Sequence, residues 1–150
     1  MAISRGAGTE IIRSAHFKEL DGVAAHKLIF GVQHHIYTVL SVIIYCVSKQ
    51  ATINIIDLSI LGYDAQAGTS ARTIKIFREN IAANETFAWN DKFSFNGHEP
   101  VDFTGPIDSV AKQDAIADQG SLVPQYLTLG STHADDYFQV SITYIDQNNA

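Results

Sequence analysis

Tyr137-Phe-Gln-Val-Ser-Ile-Thr-Tyr-Ile145 is the stretch that decides the fold. Phe138, Val140, Ile142 and Tyr144 occupy every second position, and Gln139, Ser141 and Thr143 stand between them. A period of two marks a β-strand with one face on a core and the other toward solvent. The spacing therefore predicts a strand whose apolar set points inward.

Working outward, Ile36-Tyr-Thr-Val-Leu-Ser-Val-Ile-Ile-Tyr-Cys-Val47 is rich in β-branched residues and reads as a central strand. The surrounding run from Leu28 to Ser48 is free of Lys, Arg, Asp and Glu, and in length it approaches a membrane span. Gln33, His34 and His35 interrupt it, so a buried strand is expected. Thr52–Ile60 alternates with a slip: Ile53 and Ile55 share one face, then Ile56, Leu58 and Ile60 take over. A β-bulge produces such a phase change. Arg72–Phe77 alternates with Ile74 and Ile76 on one side. Phe87 with Trp89, and Phe93 with Phe95, continue the pattern, with turns at Ala83-Asn84, Asn90-Asp91 and Asn96-Gly97.

Three zones flank or interrupt these strands. Residues 1–27 fit no clean period and are expected as an extended N-terminal arm with one short strand at Glu10–Arg13. Residues 28–150 form the second unit, a β-sandwich with an insertion at 98–124 that holds all three prolines. Asp108–Gln119 reads as a short helix, capped by Asp108 and stopped by Gly120. The tail from Asp146 is polar and short. Many short strands, regular turn signals and at most one helix predict an all-β chain, an antiparallel β-sandwich or jelly roll.

With 150 residues, 46% hydrophobic and 17% charged, the chain can bury one core and is not of disordered composition. Its formal charge of −6 argues against a dedicated nucleic-acid binder. The acidity is uneven, with eight basic and seven acidic side chains in residues 1–90 but two and nine in residues 91–150. A secretory signal is not expected, because no apolar run follows the basic start. A single cysteine, Cys46, allows no internal disulfide and reads as a small core residue.

Catalytic signatures are missing. There is no Gly-x-Ser-x-Gly nucleophile turn and no phosphate-binding loop, and Asp135-Asp136 are merely adjacent on a loop. His34 and His35 face opposite sides of any strand and cannot readily chelate together. Phe87, Trp89, Phe93 and Phe95 would stack on a sugar ring only if exposed, and their spacing is that of core residues. No catalysis, cofactor or metal site is expected.

The pattern resembles the small virion structural proteins of tailed bacteriophages, especially those of cyanophage-like viruses. The likeness lies in His35-Ile-Tyr-Thr-Val-Leu-Ser-Val42, Ala51-Thr-Ile-Asn-Ile55, Thr73-Ile-Lys-Ile-Phe77, Ile81-Ala-Ala-Asn-Glu-Thr-Phe87 and Val140-Ser-Ile-Thr-Tyr144. It spans residues 28–97 and 125–146. The chain departs from the simplest members by its 98–124 insertion and by lacking a compact Gly-Asp turn before the penultimate strand. The resemblance implies a capsid decoration (cement) protein on the virion surface, binding the major capsid protein or other virion proteins. It would be a homo-oligomer, with a trimer suiting local three-fold sites, and would touch neither nucleic acid nor membrane. A tail or neck location is the alternative, and a carbohydrate-binding module presenting Trp89 with Tyr63 or Phe87 a more distant one. Arg5, Arg13 and Lys18 in the arm are the expected partner contacts.

Overall fold

The computed structural model describes residues 8–21, 25–49, 55–63, 71–100, 108–118, 122–133 and 135–148. They form an all-β sandwich of two antiparallel sheets. The five-stranded sheet is ordered β1 (Thr9–Asp21), β11 (Tyr137–Asn148), β3 (His35–Ser48) and β6 (Thr86–Trp89), with β7 (Phe93–Asn96) also on β3. β6 pairs with Val42–Tyr45 and β7 with Ile36–Val39, so these two lie end to end along β3. The four-stranded sheet is ordered β2 (His26–Phe30), β10 (Tyr126–Ser131), β4 (Ile55–Tyr63) and β5 (Ala71–Asn80). A third, two-stranded ladder joins β8 (His98–Pro100) to β9 (Leu122–Pro124). The 98–124 segment thus begins and ends on the same ladder, with helix α1 (Val110–Asp118) between.

The inner faces meet in one core. Phe138, Val140 and Ile142 are buried as their alternation predicts, with Tyr144 packed at the margin. β3 contributes Tyr37, Val39, Val42, Ile44 and Cys46. The three-residue step from Val39 to Val42 keeps one face because the register against β11 shifts there, leaving Leu40 without an opposite residue. Ile56, Leu58, Leu127, Leu129 and Phe77 answer from the other sheet. Among the described residues, no helix is long and apolar enough to cross a membrane.

Four expectations need correction. The 1–27 arm with a short strand at Glu10–Arg13 contains instead the 13-residue β1, zipped along β11 from Thr9↔Asn148 to Asp21↔Tyr137. Its period is blurred because an edge strand buries little and because a bulge shifts the register between Phe17 and Leu20. The bulge on the β4–β5 pair also lies elsewhere: Leu58 faces Phe77 and Ser59 faces Lys75, so the extra residue is Ile76 of β5. Phe77 is buried as a result, while Ile74 is 70% exposed. At the slip expected between Ile55 and Ile56 the register is continuous, Ile55 facing Asn80 and Ile56 facing Glu79; Ile53 lies outside the described residues. Ser109, and not Asp108, caps α1: its hydroxyl accepts the Lys112 amide at 3.2 Å, and Asp108 pairs with the Lys112 ammonium at 2.8 Å. Asp146 belongs to β11 and is buried, so the strand outruns the expected polar tail.

Candidate assembly surface

The outward face of the five-stranded sheet is a broad, regular surface. Strand alternation puts Ile12, Ser14 and His16 of β1 on it, opposite Ile145, Thr143 and Ser141 of β11. Ile36, Thr38, Ser41, Ile43 and Tyr45 of β3 follow, then Thr86 and Ala88 of β6 and Ser94 and Asn96 of β7. None of these is Lys, Arg, Asp or Glu; charge returns at the two ends of the β1 row, where Glu10 stands opposite Gln147 and Lys18 follows His16. Soluble domains place charge at about a quarter to a third of surface positions. Ile12 is 70% exposed and Ile43 44%, so apolar groups stand open among hydroxyls.

The outer face of the second sheet is built differently. Asp57 accepts from Lys75 Nζ at 3.1 Å and from Arg78 Nε at 2.8 Å. Beside it, Asp57, Ser59, Thr73, Lys75 and Thr128 border an open groove of about 240 Å³. Its cation and carboxylate, Lys75 and Asp57, are paired with one another.

At one end of the five-stranded sheet, Asp146 holds three strands together. Its Oδ2 accepts from Arg13 Nε of β1 at 3.1 Å, and its Oδ1 lies 2.6 Å from His35 Nδ1 of β3. An ionised carboxylate only accepts, so the pairing puts the His35 proton on Nδ1. Tyr37 and Tyr144 pack alongside with ring centroids 6.1 Å apart. Burial, opposed by the hydrogen bond from the Val32 amide, pushes the Tyr37 hydroxyl up to about 12, and burial also raises Tyr144. Burial raises the Cys46 thiol, and the Asp136 carboxylate adds to the effect.

The residues expected to contact a partner are not gathered into one site. Arg5 lies outside the described residues. Arg13 points to the inner side of β1 and is engaged by Asp146, so it works as an internal clasp. Lys18 is exposed beyond Phe17, where the register shifts, roughly 16 Å along the strand from Arg13 at about 3.3 Å per residue. Asp146 and His35 were not legible as partners, because only the β3–β11 register joins them. Phe87 and Trp89 turn inward onto Phe77, with centroids at 4.9 and 5.6 Å, and so form no sugar-stacking platform. The Tyr63 side chain lies outside the described set. Among the described residues, no three His, Cys, Asp or Glu side chains converge as a metal site would require.

The fold defines the class: a two-sheet antiparallel β-sandwich. No protein-family model and no curated protein matches the chain. Among solved structures, one similar chain comes from the Bacillus endospore appendages, described as forming a novel family of disulfide-linked pili. It is 10% identical, aligns over 100% of this chain and 97% of its own, and superposes with a TM-score of 0.43.

Proposed function

We propose that this chain is a non-enzymatic structural protein of a virion, a decoration protein that seats on the capsid of a tailed phage and stabilises it. The observation that carries the assembly part of this reading is the outward face of the five-stranded sheet, which is free of charge between Glu10 and Lys18 of β1. A rigid sheet presents many weak contacts at fixed spacing, and repetition over a symmetric shell makes weak contacts sufficient. Phe87, Trp89, Phe93 and Phe95, together with Cys46, pack in or against the core. The virion setting rests on the resemblance of the strands at residues 35–42, 73–77, 81–87 and 140–144.

Gold-labelled antibody on intact particles, viewed by electron microscopy, tests this. Label spread over the shell is the expected result. Label confined to the tail or neck replaces decoration with the tail-associated role, and particles without label overturn the virion reading.

A further inference from the structure

We infer that the outward face of the five-stranded sheet docks on the same face of a second copy of this chain, giving a two-fold dimer. The inference rests on the assembly reading above: the face is taken up within a pair of copies, and that pair meets the capsid through its remaining surfaces.

Charge selects the partner. The chain carries a formal charge of −6, so two copies repel wherever their acidic surfaces approach. The second sheet's outer face displays Asp57, Lys75 and Arg78 as a paired cluster. Laying that cluster against its own copy would strip water from three ionic groups. The middle of the five-stranded sheet's outward face, between Glu10 and Lys18 of β1, carries no Lys, Arg, Asp or Glu for two copies to oppose.

Hydrogen bonding points the same way. Ser41, Ser141 and Thr143 line the middle of the face. A hydroxyl both donates and accepts, so a hydroxyl-rich surface is complementary to itself. A two-fold contact requires that property, since each patch meets its own image. Ile12, Ile43 and Tyr45 supply apolar area between the hydroxyls, and depletion of charge with retention of tyrosine is typical of an interface centre.

The size is adequate. Four strand positions at about 4.8 Å by ten residues at about 3.3 Å give roughly 600 Å² per copy, within the lower range of specific interfaces. One flat face closes with one copy, so the arrangement is a pair and departs from the trimer expected from the sequence resemblance.

Sedimentation velocity on the full-length chain, from low to high micromolar concentration, is the test. The expected result is a reversible dimer. Thr143→Lys places an ammonium in the middle of each copy's face and should weaken dimerisation at least about tenfold, with unchanged circular dichroism. Thr73→Lys, on the other sheet, should leave the dimer intact. Ile12→Glu, which adds a carboxylate on the same face, is a second variant expected to weaken the dimer. A monomer at every concentration, or a dimer that survives both Thr143→Lys and Ile12→Glu, overturns the inference. The capsid reading fails separately: particles without label beside an intact dimer remove it, whereas label on the shell with a monomeric chain removes only the dimer.

Discussion

His35 Nδ1 and Asp146 Oδ1 stand 2.6 Å apart although 111 positions separate the two residues in the chain. The same carboxylate receives Arg13 from β1, so a single side chain, 7% exposed, fastens β1 and β3 to the closing strand. Asp146→Ala should cost about 2–3 kcal/mol, because it removes two charge-assisted hydrogen bonds and leaves the half-buried His35 without its acceptor. Arg13→Ala should cost less, about 0.5–1 kcal/mol, since the Arg13 side chain is 47% exposed and water replaces part of the contact. Urea unfolding of the two variants orders them. Equal losses would mean that the Arg13 contact, and not the buried pair, supplies the clamp.

Gly31 and Gly97 set a second, steric constraint. Gly31 donates to the Gln125 carbonyl at 2.8 Å, Gln125 donates to Gly97 at 2.8 Å, and Gly97 donates to His35 at 2.8 Å. These bonds join the ends of β2, β7 and β10 where the 98–124 segment leaves the sandwich. A Cβ on Gly97 would sit 1.9 Å from the Val32 carbonyl oxygen, and one on Gly31 would sit 2.0 Å from that of Gly97. Both obstacles are backbone and cannot rotate away. Gly97→Ala and Gly31→Ala should each destabilise by more than about 3 kcal/mol. Gly130→Ala, whose Cβ meets nothing closer than 3.7 Å, should stay within about 1 kcal/mol. Thermal melts of the three variants check the contrast.

Much of this was readable from the chain because strand alternation is a local signal. Phe138, Val140 and Ile142 face the core where the sequence period puts them, and Cys46 packs among them. Ile76 was misread because a bulge changes phase without changing composition, and only the partner strand reveals which residue is extra. Thr9–Asp21 reads as an arm in the sequence because an edge strand buries one face lightly, and its inward Arg13 hides the alternation. The Arg13–Asp146–His35 cluster carries no local signature at all. It exists because β1, β11 and β3 pair in one register, and registers between distant segments leave no trace in either segment alone.

Tyr37 gives the protein an alkaline weakness. Its ring lies under the sheet junction, stacked on Phe95 at 5.3 Å, and its hydroxyl accepts the Val32 amide at 3.1 Å. With the folded value pushed up to about 12 from 10.0, the folded state holds this proton longer than the unfolded chain does. The contribution to stability is therefore complete below pH 10 and lost as pH rises from there through about 12. Tyr144, raised in the same direction, adds to the loss. Tyr37→Phe should flatten the alkaline limb of a stability–pH profile, while costing about 1 kcal/mol at neutral pH through the orphaned Val32 amide. An unchanged alkaline limb would remove Tyr37 from this role.

Cys46 reports on opening of the same core from the thiol side. It is fully buried on β3, and its Sγ lies 3.8 Å from the Ser48 carbonyl oxygen. Burial first, and the Asp136 carboxylate second, raise its pKa, so the reactive thiolate is disfavoured in the native state. Alkylation should then proceed only through opening of β3 from its neighbours, at a rate that rises with urea. Raising the thiol value also means that the folded state favours the protonated group. That stabilisation is present below the unfolded thiol pKa and disappears as pH climbs through the folded one. Cys46→Ser should destabilise by about 1–3 kcal/mol, since a hydroxyl is costlier than a thiol among Val39, Val42 and Ile44 unless it finds an acceptor. Rapid stoichiometric labelling of the native protein without denaturant would show that β3 opens at this point, and the sandwich would then lack the rigid centre that docking through its outward face requires.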